Sequence, residues 1–372
     1  MELRQDKYVL TGYWFVIFIH QIIGFNNNYL YPTFGGDGDA AALQMQSERF
    51  AMFGELGFEL GALFLAQVLG MLYRWFGASH LLGTQLSILT FALSCVVLMK
   101  LIRLLGIERY KLCSLLIFGS LPTMALLGSV TIREPYQLLF FMLSVFFGLK
   151  MHLKGGINTC LFAFIMSTIV LGFLHKGLIF YGIFLVALFL IWNFRPTTCH
   201  RNIKKIHLAA FAMGSVALAG FMALLNMKLP GHDVLTQWVH TEWLEYVSSY
   251  RDGIIRANGR ATYDIALDMS SYMMAVYSGL RIYIYYLFAP FPWQVDNLLD
   301  IYAVMESVFR MILICFSVSH WRKASGSQKR LLGLMLFLFL SITFLFALGT
   351  SNYGTAMRHH MLDWWIIIIV GV

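Results

Sequence analysis

Two carboxylates, Asp37 and Asp39, stand one residue apart in Gly35-Gly36-Asp37-Gly38-Asp39-Ala40, the first strongly polar stretch after an apolar run. A carboxylate held there on glycine-loosened backbone can take a proton from an attacking hydroxyl. Cationic motifs recur further along: Arg133-Glu134 ahead of Pro135, His175-Lys176, Arg256 and Arg260 in a long polar stretch, Arg281 inside an apolar run, and Arg358-His359-His360. Arginine forks and lysine grip phosphate. A base and a phosphate grip together are what glycosyl transfer from a polyprenyl phosphate requires. The leaving phosphate gathers negative charge, and the acceptor hydroxyl is a weak nucleophile.

The elements that must position these groups are membrane helices. The 372 residues are 59% hydrophobic and 12% charged, with mean hydropathy +0.70. Several runs approach the ~20 apolar residues that cross a bilayer, which implies an all-α, polytopic integral membrane helix bundle. Formal charge is +8, but the basic residues gather in short links between apolar runs. That is the pattern of membrane orientation, and no nucleic-acid partner is expected. The five cysteines include no CxxC pair, so neither a disulfide nor zinc is indicated. The first run, Tyr8 to Gly24, is followed by Asn26-Asn27-Asn28 rather than a small-residue cleavage site, and it reads as a retained helix.

Arg4 and Lys7 place the N-terminus in the cytoplasm and the Asp37/Asp39 loop outside. Met52 to Trp75 holds about a dozen clean apolar residues after Glu55 and Glu59, a length suited to an interfacial or re-entrant helix. Ser79 to Met99 then runs inward, and Leu112 to Gly128 runs back out. Ile157 to Leu174 and Gly177 to Trp192 form a hairpin. Ser271 to Trp293, with a central arginine and two prolines, reads as half-inserted beside a cavity. The sum is about ten transmembrane helices plus juxtamembrane or re-entrant ones, in one transmembrane domain spanning 1–372. It carries an external juxtamembrane segment at 25–78 and an external loop or re-entrant segment at 226–296.

The external acidic motif after the first helix, followed by juxtamembrane helices and Trp75-Phe76-Gly77-Ala78-Ser79, resembles the C-type (GT-C) membrane glycosyltransferases that use polyprenyl-phosphate sugars. Arg133-Glu134-Pro135 and Gly354-Thr355-Ala356-Met357-Arg358-His359 resemble pieces of bacterial exopolysaccharide and O-antigen assembly proteins, polymerases included. The resemblance implies an inverting glycosyltransferase of a bacterial inner membrane, active at its external face. Asp39, or second Asp37, would be the catalytic base. Arg133, Glu134, Lys176, Arg256, Arg260, Arg281, Arg358 and His359 would hold the substrate and its lipid phosphate. Its partners would be a polyprenyl-phosphate-linked sugar donor, membrane lipids, and a glycan or lipid acceptor.

Plainer readings stand beside these. Asp37 and Asp39 can form a solvated turn, or hold a divalent cation through carboxylate oxygens; no resident cofactor is otherwise expected. Arg133 and Glu134 can be a local ion pair, and His175-Lys176 a snorkelling hairpin tip. Glu306 and Arg310, one helical turn apart, are expected to pair with each other. Arg281 is expected to have a partner, because an unpaired charge among apolar residues is costly. A polymerase joining lipid-pyrophosphate-linked units would rely on arginines rather than on Asp39. A flippase or transporter for lipid-linked sugars should show internal repeats, and none is evident.

Overall fold

The computed structural model describes residues 6–33, 35–36, 38–54, 59–154, 157–193, 251, 261–263, 265–268 and 270–372. Asp37, Arg256 and Arg260 lie outside these residues. Among the described residues the regular secondary structure is helical. They form two compact units. The first draws on Met1–Ala42, Ser79–Leu139 and Trp243–Val372, the second on Leu43–Ala78 and Phe140–Glu242.

In the first unit α1 (Lys7–Tyr29) packs on α4 (His80–Leu105) and α5 (Lys111–Ser120). Its buried residues include Gly12, Val16, His20 and Gly24, a stripe at four-residue spacing, which lines up on one helix face. The opposite face exposes Trp14, Phe15, Phe18, Ile22 and Phe25. A narrow face of small residues and a broad greasy one is how helices associate where the surroundings are themselves apolar. A Cβ on Gly119 of α5 would overlap Val16, so the two backbones come this close because that position has no side chain. His20 donates from Nε2 to the Gly119 carbonyl at 3.1 Å and stacks on Phe91 at 4.2 Å.

The expected single run from Leu112 to Gly128 is broken. α5 ends at Ser120, Leu121 is extended at ψ 131°, and Pro122 opens a short α6 (Pro122–Leu127). Proline has no N–H to continue the ladder and its ring clashes with the preceding turn, so it serves at a first helical position and not in the middle. The amide and hydroxyl of Thr123 donate to Glu306 at 2.7 and 2.5 Å. Glu306 and Arg310, whose spacing predicts a pair, take other partners: Glu306 holds the break, and Arg310 binds Asp363 at 2.6 Å.

Five further helices are described in this unit: α10 (Tyr272–Phe288), α11 (Leu298–Lys323), α12 (Gly326–Gly349), α13 (Tyr353–His360) and α14 (Trp364–Gly371). Asp6 caps α1 and pairs with Lys111 at 2.9 Å. A cavity lined by Gly106 to Tyr110, His320, Lys323 and Gln328 brings the α4–α5 link beside the α11–α12 link. These basic links therefore share one end of the unit. The far end of α1 is about 35 Å away along its 23 residues.

In the second unit α3 (Ala62–Phe76) crosses the body of α2 (Asp39–Phe53), close enough that a Cβ on Gly70 would overlap Phe50 and the Ser47 carbonyl. Tyr73 donates to Gln44 at 2.6 Å, and Arg74 donates to the carbonyls of Phe50, Ala51 and Gly54. The guanidinium thus closes the C-terminal end of α2, where carbonyls lack helical partners. At 15 residues, α3 is about 22 Å long, short of a ~30 Å hydrocarbon core. The body of α7 (Glu134–Lys154) joins α8 (Ile157–Leu174) and α9 (Lys176–Asn193), which pack closely as a hairpin.

Among the described residues five helices are long and apolar enough to cross a bilayer: α1, α4, α7, α11 and α12. Three shorter apolar stretches lie in α3, α8 and α9. The number of spans expected from sequence was about ten.

Candidate functional site

The site begins where α1 ends. Asn27 Oδ1 accepts from the amide of Thr33 at 3.0 Å, fixing the turn after the helix, while Asn28 reaches Thr84 at 2.9 Å. Gly35 has φ +83°, a left-handed backbone that favours glycine, and a Cβ on Gly36 would overlap Asn27 Oδ1. Glycine at both positions lets the chain double back on α1 before Asp39 starts α2. A carboxylate in the first turn of a helix is also favoured by the helix dipole.

The second component stands at the start of α7, where Arg133 precedes Glu134. The third is α13. Asn352 caps it by accepting from the amides of Gly354 and Thr355. Tyr353 ties it to α11 by donating to Asp300 at 3.0 Å. His359 stacks on Phe346 at 4.3 Å and meets Thr350 Oγ1 at 3.1 Å. A short helix held at both ends presents Arg358 in a fixed direction.

Arg358 joins the three. Its Nη1 donates to Asp39 Oδ2, and its Nη2 donates to Glu134 Oε1 at 2.7 Å. Arg133 Nε lies 3.8 Å from the same Glu134 oxygen. All four residues belong to the first unit. Two guanidinium groups thus flank one carboxylate, and a second carboxylate closes the cluster. Burial divides them: the Glu134 side chain is 1% exposed, that of Arg358 18%, and that of Asp39 72%. Glu134 Oε2 and Arg358 Nε are buried and lack a hydrogen-bond partner among the described residues, so the hydrogen-bonding capacity of the cluster is not filled.

Electrostatics follow from this arrangement. The hydrogen bond from Arg358, reinforced by its charge and that of Arg133, holds the Asp39 carboxyl below the usual carboxylate range against the opposing effect of burial. The charge of Glu134, followed by the Asp39 contact, raises Arg358 further above its ordinary value. The pairing of Arg358 with Asp39 thus favours the charged form of both, an exposed carboxylate beside a buried cation.

Not every residue singled out in the sequence joins the cluster. Arg281 is exposed on α10, its guanidinium 5.9 Å from the ring of Tyr277. Arg281 thus lies along an apolar face that also exposes Leu280 and Ile284. His359 is committed to Phe346 and Thr350. Lys176 opens α9 in the second unit, where His175 Nδ1 accepts from Gly177. Asp39, the described member of the proposed cation pair, is engaged by Arg358. Among the described residues no three His, Cys, Asp or Glu side chains gather as a metal site.

Asp363 is not among the residues that the sequence singles out. It binds Arg310 through Oδ1 and His360 through Oδ2, at 2.6 and 3.1 Å, while Arg310 lies over Trp364 at 4.2 Å. His360 Nε2 donates to the Tyr286 carbonyl at 2.9 Å. With Nε2 committed to that carbonyl, Nδ1 faces Asp363 Oδ2 across 3.1 Å. The signal was a lone aspartate in an otherwise apolar run.

Set against known proteins, the chain matches no protein-family model, no curated protein and no solved structure.

Proposed function

We propose that this chain is a membrane glycosyltransferase that moves a sugar from a polyprenyl-phosphate donor to a hydroxyl of a glycan or lipid acceptor. The observation that carries the reading is the joining of Asp39, Glu134 and Arg358 from three distant segments into one charged cluster beside apolar helices. Asp39 takes the proton of the acceptor hydroxyl. That oxygen bonds to the anomeric carbon as the carbon–oxygen bond to phosphate breaks, and the phosphate leaves with the electron pair. Direct displacement inverts the anomeric centre. Arg358 and Arg133 offset the charge that develops on the phosphate.

The site belongs, on this reading, to the non-cytosolic face of a bacterial inner membrane. Support comes from the basic links, which share the end of the first unit where α1 begins, whereas the cluster follows the end of α1. Cytoplasmic links carry the excess of Lys and Arg.

The test is transfer of a radiolabelled sugar from polyprenyl phosphate by the full chain in lipid nanodiscs. Asp39→Asn should lower turnover about 100-fold or more, within the range of lost general-base catalysis, in a chain that still unfolds cooperatively. Full turnover in Asp39→Asn would overturn the reading. Tolerance there with loss in Arg358→Gln would point instead to polymerisation of lipid-pyrophosphate-linked units through cations.

A further inference from the structure

Arg358 holds its two carboxylates in unlike ways. The Glu134 contact is sealed from solvent, whereas Asp39 approaches the other edge of the same guanidinium from an exposed position. Resting on the transfer reading above, we propose that Asp39 and the donor's phosphate compete for the Nη1 edge of Arg358, so that phosphate binding and release of the Asp39 carboxylate are one exchange.

Three observations support this. Arg358 and Arg133 carry two positive charges and Asp39 and Glu134 two negative ones, so the four residues are balanced. A phosphate added while Asp39 stays bound would set two anions against one guanidinium edge, and like charges at that distance repel. Expelling Asp39 restores the balance. Second, the exposed partner is the one that an incoming anion can reach, while Glu134 keeps Arg358 in place through Nη2. Glu134 is thereby a positioning residue. Third, Arg358 Nε is buried and lacks a partner among the described residues, so the guanidinium is held through Nη1 and Nη2, and Nη1 is the edge at which a ligand can change.

The consequence is a base armed by its own donor. Paired with Arg358, Asp39 is a poor proton acceptor, because its negative charge is already stabilised. Freed by the phosphate, it regains ordinary carboxylate basicity beside the acceptor hydroxyl. The base is then active only with a donor in place.

Binding of farnesyl phosphate to the full chain in nanodiscs, with farnesol as the uncharged control, tests the exchange. Asp39→Asn and Asp39→Ala should each bind farnesyl phosphate about tenfold more tightly than the parent, equivalent to about 1.4 kcal/mol, with farnesol unchanged. Arg358→Gln should lose the preference for the phosphate. Equal or weaker binding by both Asp39 variants would overturn the exchange. The two proposals separate cleanly. If Asp39→Asn binds more tightly yet still transfers sugar, the exchange holds and the transfer role of Asp39 fails. If it loses transfer without binding more tightly, the exchange fails and the transfer role holds.

Discussion

Arg358 and Glu134 are 224 positions apart in sequence and 2.7 Å apart in space, joined by a guanidinium–carboxylate bond whose acidic partner is sealed from solvent. That bond locks the start of α7 to the end of α13 and leaves the other edge of the guanidinium for Asp39. A buried ion pair is costly to break from one side, because the surviving charge keeps its desolvation penalty. Glu134→Ala should therefore destabilise the first unit by about 3 kcal/mol. Thermal unfolding in detergent at constant lipid content measures it; a loss below about 1 kcal/mol would show that the bond is not holding the helices.

Acid should act on the cluster through Asp39. Its folded value is depressed by Arg358, so the stabilisation from this pair is fully present above the ordinary carboxyl value, near 3.9. It is lost as pH falls through the depressed one. Arg358→Gln should shift the Asp39 titration upward towards the ordinary range, measured by carboxyl carbon NMR of labelled aspartate. An unmoved titration would show that another group holds Asp39.

The proposed exchange has its own pH signature. The profile of kcat/KM reports groups in the free enzyme, and that of kcat reports the substrate complex. With Asp39 released in the complex, the acidic limb of kcat should lie at higher pH than the acidic limb of kcat/KM. Superimposed limbs would contradict release.

Asp363 supports the helix that carries Arg358. Asp363→Asn should cost about 3 kcal/mol by leaving Arg310 buried without its ion-pair partner, whereas the paired replacement Arg310→Met with Asp363→Leu should recover much of that loss. Unfolding of the three variants decides the matter. A double variant as unstable as the single one would mean that the network does more than balance charge.

Glu306 should behave as a clasp on the break between α5 and α6. Thr123→Val and Glu306→Gln should each destabilise, and their combination should cost less than the sum, with a coupling of about 1 kcal/mol or more. Strict additivity in a double-mutant cycle would separate the two residues.

Much of the helical framework was legible in the residues themselves. Apolar length marked α1, which runs past the expected Gly24 through Asn26-Asn27-Asn28 to Tyr29, and the hairpin of α8 and α9 falls where the tip His175-Lys176 was placed. The break at Pro122 was hidden because the flanking run is apolar throughout, and an apolar run does not announce where its ladder is cut. Glu306 and Arg310 misled for a related reason. Four-residue spacing says that two side chains can meet, but buried charges choose partners across helices, here Thr123 and Asp363. Asp39, Arg133, Glu134 and Arg358 were each visible as charges beside apolar runs. The contacts among them depend on how the starts of α2 and α7 meet α13, which no local pattern encodes. Arg281 stood out by the same rule and lies elsewhere, its long side chain reaching along an exposed face.

The central claim is that Asp39 and Arg358 act as a unit in sugar transfer. A double-mutant cycle on turnover from a polyprenyl-phosphate sugar tests it most directly, using Asp39→Asn, Arg358→Gln and the pair. The prediction is a loss of about 100-fold or more for each single variant and a combined loss close to that of the worse one, because groups that act together are not additive. Independent, multiplying losses, or turnover that survives in either single variant, would contradict it.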